Sequence, residues 1–171
     1  MDFIKVGSAC PKTKVADVIF NVENICSCIN DAYNKDVKFL VFPELSITSY
    51  TCADLFLTST LISKSIEGIK LVCENSINKD ILIAVGCPLV HNNVLYNAAF
   101  IIFEGKILGI VPKSYIPNYS EFYEKRWFTS AAMLVDETVD LPFQDNIPLG
   151  TNLLFTAGDY KFGIEICEDL W

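Results

Sequence analysis

The stretch "KFLVFPE", residues 38–44, is an unbroken apolar run that ends at a proline and then presents a glutamate. A run this short with no alternating polar positions is the pattern of a strand buried on both faces, which is typical of parallel sheets covered by helices. On its N-terminal side, Val18, Val22, Ile25, Ile29 and Ala32 recur at intervals of three and four, so they share one face of a helix. Before that helix, "FIKVGSA" (3–9) is strand-like. Beyond the run, the pattern predicts a helix over about 59–77 and a second buried strand in "ILIAVGCPLV" (81–90). "NAAFIIFEGKILGIVPK" (97–113) reads as two strands around the turn "EGK", a hairpin. The stretch 112–150 carries Pro112, Pro117, Pro142 and Pro148 and is expected to be mostly irregular, and "NLLFTAGDYKFGIEIC" (152–167) gives two strands around "AGDY". Strand–helix–strand units followed by hairpins make an α/β architecture with a mixed sheet. No repeat or break in composition divides the chain, so residues 1–171 read as one domain.

Composition excludes several classes of function. With 51% hydrophobic and 20% charged residues the chain is far too apolar for disorder. Thirteen basic against 21 acidic side chains give a formal net charge of −8, which repels nucleic-acid backbones and anionic lipid surfaces. No apolar stretch approaches the ~20 residues needed to cross a bilayer. The start, "MDFIKVGSACPKTK", lacks the layout of a secretory signal, so a cytoplasmic location is expected. The seven cysteines show neither paired C-x-x-C spacings nor partner histidines, which argues against a disulfide framework or a metal site. Most of them suit small buried positions.

Three polar residues each follow a strongly apolar segment: Glu44 after "FLVFP", Lys113 after "ILGIVP" and Cys167 after "FGIEI". Ligands and reacting groups of α/β sheets gather at strand ends, so the three can converge in one cleft. Each alone has an ordinary alternative as a buried thiol, a solvated carboxylate or a surface lysine. Together they form a chemical set. A thiol needs a base or a cation to become a nucleophile. A carboxylate in apolar surroundings can take the thiol proton and return it to a leaving amine. A lysine, with the backbone N–H of Glu168, can stabilise an oxyanion. The single histidine, His91, lies in "VHNNVLYN", where a solvated turn is expected.

The blocks "FPELSITSYTCADLF" (42–56), "VPKSYIPNYSEFYEKRWF" (111–128) and "GIEICEDLW" (163–171) resemble the three signatures of the nitrilase, or carbon-nitrogen hydrolase, superfamily. The long second block and "CEDLW" are more specific, and resemble the N-terminal glutaminase domains of glutamine-dependent NAD synthetases. The resemblance implies an α-β-β-α sandwich in which Glu44 is the base, Lys113 the oxyanion-binding group and Cys167 the nucleophile. The cysteine would form a γ-glutamyl thioester and release ammonia. The same resemblance sets Tyr50, Tyr119, Glu124 and Glu168 near the glutamine, although a packed aromatic loop would equally explain the tyrosines. Ser49 stands where the family carries glycine, so a side chain occupies a turn suited to glycine.

The family domain continues past the nucleophile, so the chain is expected to be a domain truncated at its C-terminal end. The partners implied are glutamine, a C-terminal synthetase domain and, through exposed apolar surface, a further copy of the chain in a homo-oligomer. No cofactor is implied for amide hydrolysis; ATP and magnesium are implied for the synthetase domain alone. Two other readings stay open, a free-standing nitrilase-type amidase and a non-catalytic truncated assembly module.

Overall fold

The structure is a computed structural model that describes residues 3–135 and 137–170. Trp171, the last residue of the third signature block, lies outside the described residues. The chain begins with strand β1 (Val6–Ser8) and helix α1 (Val18–Asn34), then strand β2 (Phe39–Val41) and helix α2 (Ser59–Ser76). Strands β3 (Leu82–His91), β4 (Val94–Phe103) and β5 (Lys106–Pro112) follow. Two further hairpins, β6 (Glu137–Leu141) with β7 (Gln144–Leu149) and β8 (Phe155–Ala157) with β9 (Tyr160–Phe162), complete the set.

Strands β1 to β7 form one sheet in the order β1-β2-β3-β4-β5-β7-β6. β1, β2 and β3 are parallel, because each is joined to the next by a segment containing a helix. β3, β4 and β5 are antiparallel neighbours through short turns. The turn between β4 and β5 places Glu104 at φ 44° and Gly105 at φ 82°, a pair of left-handed residues that matches the twist of a tight hairpin.

Both helices cover one face of this sheet. Asp17 caps α1 by accepting the Phe20 N–H, and Thr58 caps α2 by accepting the Leu61 N–H. All five apolar positions read on α1 are buried, Ile25 and Ile29 completely, each worth about 1.5–3 kcal/mol of transfer free energy. They meet the alternate positions Ile83, Val85, Cys87 and Leu89 of β3 in the main core. The other face carries Leu82 and Ala84 with Ile101 and Val111, and packs against Phe155, Phe162 and Leu153 of the β8–β9 region. The described residues therefore make a helical layer, a seven-stranded mixed sheet and a two-stranded piece of a second sheet layer.

Three sequence expectations are corrected. β2 is not buried on both faces: Leu40 is 2% exposed on the helical side while Val41 on the other is 42% exposed. The small β8–β9 sheet reaches Phe39, through its contact with Phe162, but does not cover Val41. The stretch 112–150 is not mostly irregular, because Val139, Leu141, Ile147 and Leu149 alternate inward along β6 and β7. Pro142 sits in the turn between these strands, and Pro148 is exposed on β7, so neither breaks the hairpin. Finally, β9 ends at Phe162, and residues 163–166 run on without strand pairing to a 3-10 turn, Cys167–Leu170.

Candidate active site

Glu44 is aimed by the turn that follows β2. Phe42 N–H donates to Ala84 O at 2.9 Å, then Ile47 N–H donates to Gly86 O at 3.1 Å, so residues 43–46 fold over β3. Gly86 makes this possible. A Cβ there would lie 2.2 Å from the Leu45 nitrogen and 2.8 Å from the Glu44 carbonyl carbon. The bend is sharp enough to put Leu45 at φ 52° with its side chain fully buried.

Four residues further on, Ser49 has φ 71°, which is a conformation that favours glycine. The turn's bonds use the Ser49 carbonyl, which accepts from Thr48 Oγ1 at 3.1 Å and Cys52 Sγ at 3.3 Å, and glycine keeps both. Ser49→Gly is therefore expected to raise the unfolding free energy by about 0.5–1 kcal/mol, left-handed strain relieved less glycine's extra chain entropy. Chemical denaturation measures it, and an unchanged or lowered midpoint would contradict the strain.

Lys113 directly follows β5, with its N–H donating to Asn97 O at 2.8 Å. Its side chain is completely buried, and its Nζ donates to Glu44 Oε1 at 2.6 Å and to both carboxylate oxygens of Glu124 at 3.0 Å. Glu124, 2% exposed, also accepts from the Tyr50 hydroxyl at 2.6 Å. A buried ammonium survives because two carboxylates repay its desolvation. Burial works against the charged lysine, but Glu44 and Glu124 outweigh it and raise its pKa, so the ammonium stays charged across the neutral range.

Burial pushes the Glu44 carboxyl above the ordinary carboxylate range. Lys113 and Asn97 pull it back, while the charge of Glu124 adds to the rise. Asn97 Nδ2 and Lys113 Nζ both donate to Oε1; among the described residues Oε2 has no hydrogen-bond partner and is the oxygen available to accept a proton.

Glu44, Asn97 and Cys167 line one solvent-open cavity between residues 41–44, the middle of β3 and β4, and residues 164–167. Cys167 is exposed and adopts φ 52°, a sharply bent nucleophile-like turn built without flanking glycines. Its thiol pKa is raised, first by partial burial. Lys113 opposes the shift, and Glu44, Glu124 and Glu168 add to it. The thiol therefore holds its proton at neutral pH.

The structure thus brings Glu44, Lys113 and Cys167 to one site. It places Glu124 on the buried lysine and Tyr50 on Glu124, with Glu124 serving as an anchor and not as a wall of the open cavity. Tyr119 is exposed and its hydroxyl donates to Glu168, which holds these two at the rim. His91 bonds Glu137 at 2.9 Å and takes no part.

Sequence reasoning missed Asn97, whose signal was an amide amid the apolar "NAAFII". It also missed Asp54, which accepts from Arg126 Nε at 2.6 Å, from the Arg126 NH2 group at 2.7 Å and from Trp127 Nε1 at 2.9 Å. That cluster ties the loop bearing Glu124 to the 3-10 turn Ala53–Leu57. The paired guanidinium and indole hold the Asp54 carboxyl well below the usual range.

A glutamate and a cysteine on one cavity, with a buried lysine bonded to the glutamate, thus stand on a mixed sheet with helices on one face. The carbon-nitrogen hydrolase family matches residues 5–171, and the chain belongs to it. Within it, the chain is 31% identical over 172 residues to a glutamine-dependent NAD(+) synthetase of Mycobacterium bovis, covering 99% of this chain and 25% of that protein. The glutamine-dependent NAD(+) synthetase of Homo sapiens is 35% identical over 159 residues, covering 88% of this chain and 22% of that protein. The crystal structure of a glutamine-dependent NAD(+) synthetase from Cytophaga hutchinsonii superposes with a TM-score of 0.90 at 32% identity, over 97% of this chain and 28% of that one. The chain spans about a quarter of the length of the curated relatives it matches. No helix among the described residues is long and apolar enough to cross a membrane.

Proposed function

We propose that this chain is the glutaminase portion of a glutamine-dependent NAD synthetase, and that it hydrolyses the side-chain amide of glutamine through a thioester on Cys167. The observation that carries the reading is the buried Lys113, bonded to Glu44 beside the cavity that Cys167 lines. Glu44 Oε2 takes the thiol proton as Sγ attacks the amide carbon, and the oxyanion forms beside the Lys113 ammonium and the Glu168 N–H. All three Lys113 donors already face carboxylate oxygens, so the lysine acts chiefly through its charge unless one Glu124 contact lets go. Collapse of the intermediate breaks the carbon–nitrogen bond, with the proton on Glu44 passing to the nitrogen to release ammonia. Water then loses a proton to Glu44 and attacks the thioester; glutamate leaves and the thiol regains its proton.

Ammonia made in this way serves the ATP-dependent amidation of deamido-NAD to NAD in a synthetase domain of the kind that the relatives' names describe. ATP and magnesium belong to that second reaction. A cytoplasmic location and association with further copies accompany this proposal.

The test is to follow ammonia release from glutamine and to quench the reaction for intact-mass analysis of a γ-glutamyl adduct on Cys167. Activity is expected to fall as pH drops through the raised Glu44 pKa, because the base must be ionised, so the acidic limb should lie above the ordinary carboxylate range. Asparagine or a simple aliphatic amide turning over faster than glutamine would favour a free-standing amidase.

A further inference from the structure

Lys113 leaves β5 and enters an irregular loop, so the N–H groups of Ser114 and Tyr115 have no sheet ladder and need other acceptors. Both donate to one atom, Asp169 Oδ1, at 3.0 and 2.8 Å. Asp169 Oδ2 accepts the Ile166 N–H at 3.3 Å, and the Asp169 N–H donates to Ile166 O at 3.1 Å. One carboxylate thus bridges two segments 55 residues apart in sequence, one following Lys113 and the other enclosing Cys167. The far side of the Lys113 loop is fixed as well. Lys113 O accepts the Ala131 N–H at 3.0 Å, and Ser114 O accepts the Ser130 hydroxyl. Asp169 is therefore the link by which an already anchored loop holds the cysteine turn. That turn needs holding, because Cys167 lies at φ 52° with a full side chain, a conformation that persists only where its surroundings impose it.

We propose that Asp169 is a positioning residue whose carboxylate latches the Cys167 turn to the backbone after Lys113 and so sets the thiol against the ammonium. The inference rests on the reading of Glu44, Lys113 and Cys167 as the reacting set. The neighbouring acids do not share the task, since Glu168 is engaged by Tyr119. A neutral amide serves only in part: its one oxygen can accept Ser114 and Tyr115, but its NH2 would then face the Ile166 N–H, donor against donor.

The test compares Asp169→Ala and Asp169→Asn with wild type in the intact protein. Iodoacetamide labelling is resolved by mass spectrometry on the Cys167 peptide, with exposed Cys10 as the internal reference, beside ammonia release from glutamine and thermal unfolding. Asp169→Ala is expected to speed Cys167 alkylation severalfold, because a released turn frees the thiol from the burial and the carboxylate charges of Glu44, Glu124 and Glu168 that outweigh Lys113 and hold its proton. Ammonia release should fall about a hundredfold, the cost of a misplacement near 1 Å. Cys10 labelling should not change, and Asp169→Asn should show a smaller change in both readouts. Cys167 alkylation within about twofold of wild type in Asp169→Ala, or a parallel change at Cys10, overturns the latch. If the alanine variant fails to fold, Asp169→Asn decides, and wild-type alkylation at Cys167 in it overturns the latch. Wild-type protein that shows the alkylation pattern but no ammonia release overturns the glutamine reading while supporting the latch.

Discussion

Cys167→Ala is expected to abolish ammonia release from glutamine and, in the protein carrying the proposed synthetase activity, glutamine-dependent NAD formation. Formation of NAD from free ammonia should persist. In the proposed reaction the thiol is the one group that bonds covalently to the substrate carbon, while Glu44 and Lys113, bonded to each other, would supply only a proton site and a charge. Removal of a nucleophile that works as a unit with its base leaves no partial route through the thioester, so the loss should reach the background of the assay. The fold should be indifferent: Cys167 is exposed and lies in neither core cluster. Assaying both nitrogen sources on one preparation decides the matter. Equal loss with glutamine and with ammonia would show that Cys167 matters for something other than freeing ammonia, and residual glutamine turnover would remove it as nucleophile.

The sequence made the helical layer and the two strand-end groups legible because each depends on local pattern. The α1 face from Val18 to Ala32 repeats at helical spacing, and Glu44 and Lys113 each end an apolar run. The role of Glu124 was not legible in the same way. It lies in the loop after Pro117, and only the folding of residues 124–128 back onto the Ala53–Leu57 turn, through Arg126 and Trp127 on Asp54, brings its carboxylate onto Lys113. Long-range pairing of this kind leaves no periodic trace. The β6–β7 hairpin is hidden for a different reason: Pro142 and Pro148 mask the alternation of Val139, Leu141, Ile147 and Leu149, because proline suits irregular chain as well as a turn or an exposed strand position. The segment before Cys167 has a strand's composition but no strand's partner, since β9 ends its pairing at Phe162. Apolar composition reports burial, whereas pairing depends on which neighbour is available.

Lys113→Ala should damage both chemistry and stability, and a second substitution should separate the two. The wild-type ammonium sits between two carboxylates at 2.6 and 3.0 Å with no exposure of its own. Deleting it leaves Glu44 and Glu124 facing a buried gap with no cation. Breaking one side of a buried ion pair costs about 3–5 kcal/mol, so a large loss in denaturation midpoint is expected. The deficit should shrink as pH falls: without the lysine the Glu44 pKa rises further, and protonation of that carboxyl removes the repulsion. Glutamine hydrolysis should drop by at least the roughly 10²–10³ typical of a lost oxyanion group, because Glu44 also becomes a poorer base at neutral pH. The double variant Lys113→Met with Glu124→Gln restores charge balance and fills the space with an apolar chain. Its stability is expected to recover most of the loss, since a buried pair can be replaced by packed neutral groups at little net cost. Its activity should stay as low as that of Lys113→Ala, because the oxyanion still meets no cation. Recovery of both stability and turnover in the double variant would reduce Lys113 to a structural ion-pair partner, whereas recovery of stability alone separates its electrostatic part in the reaction from its part in the fold.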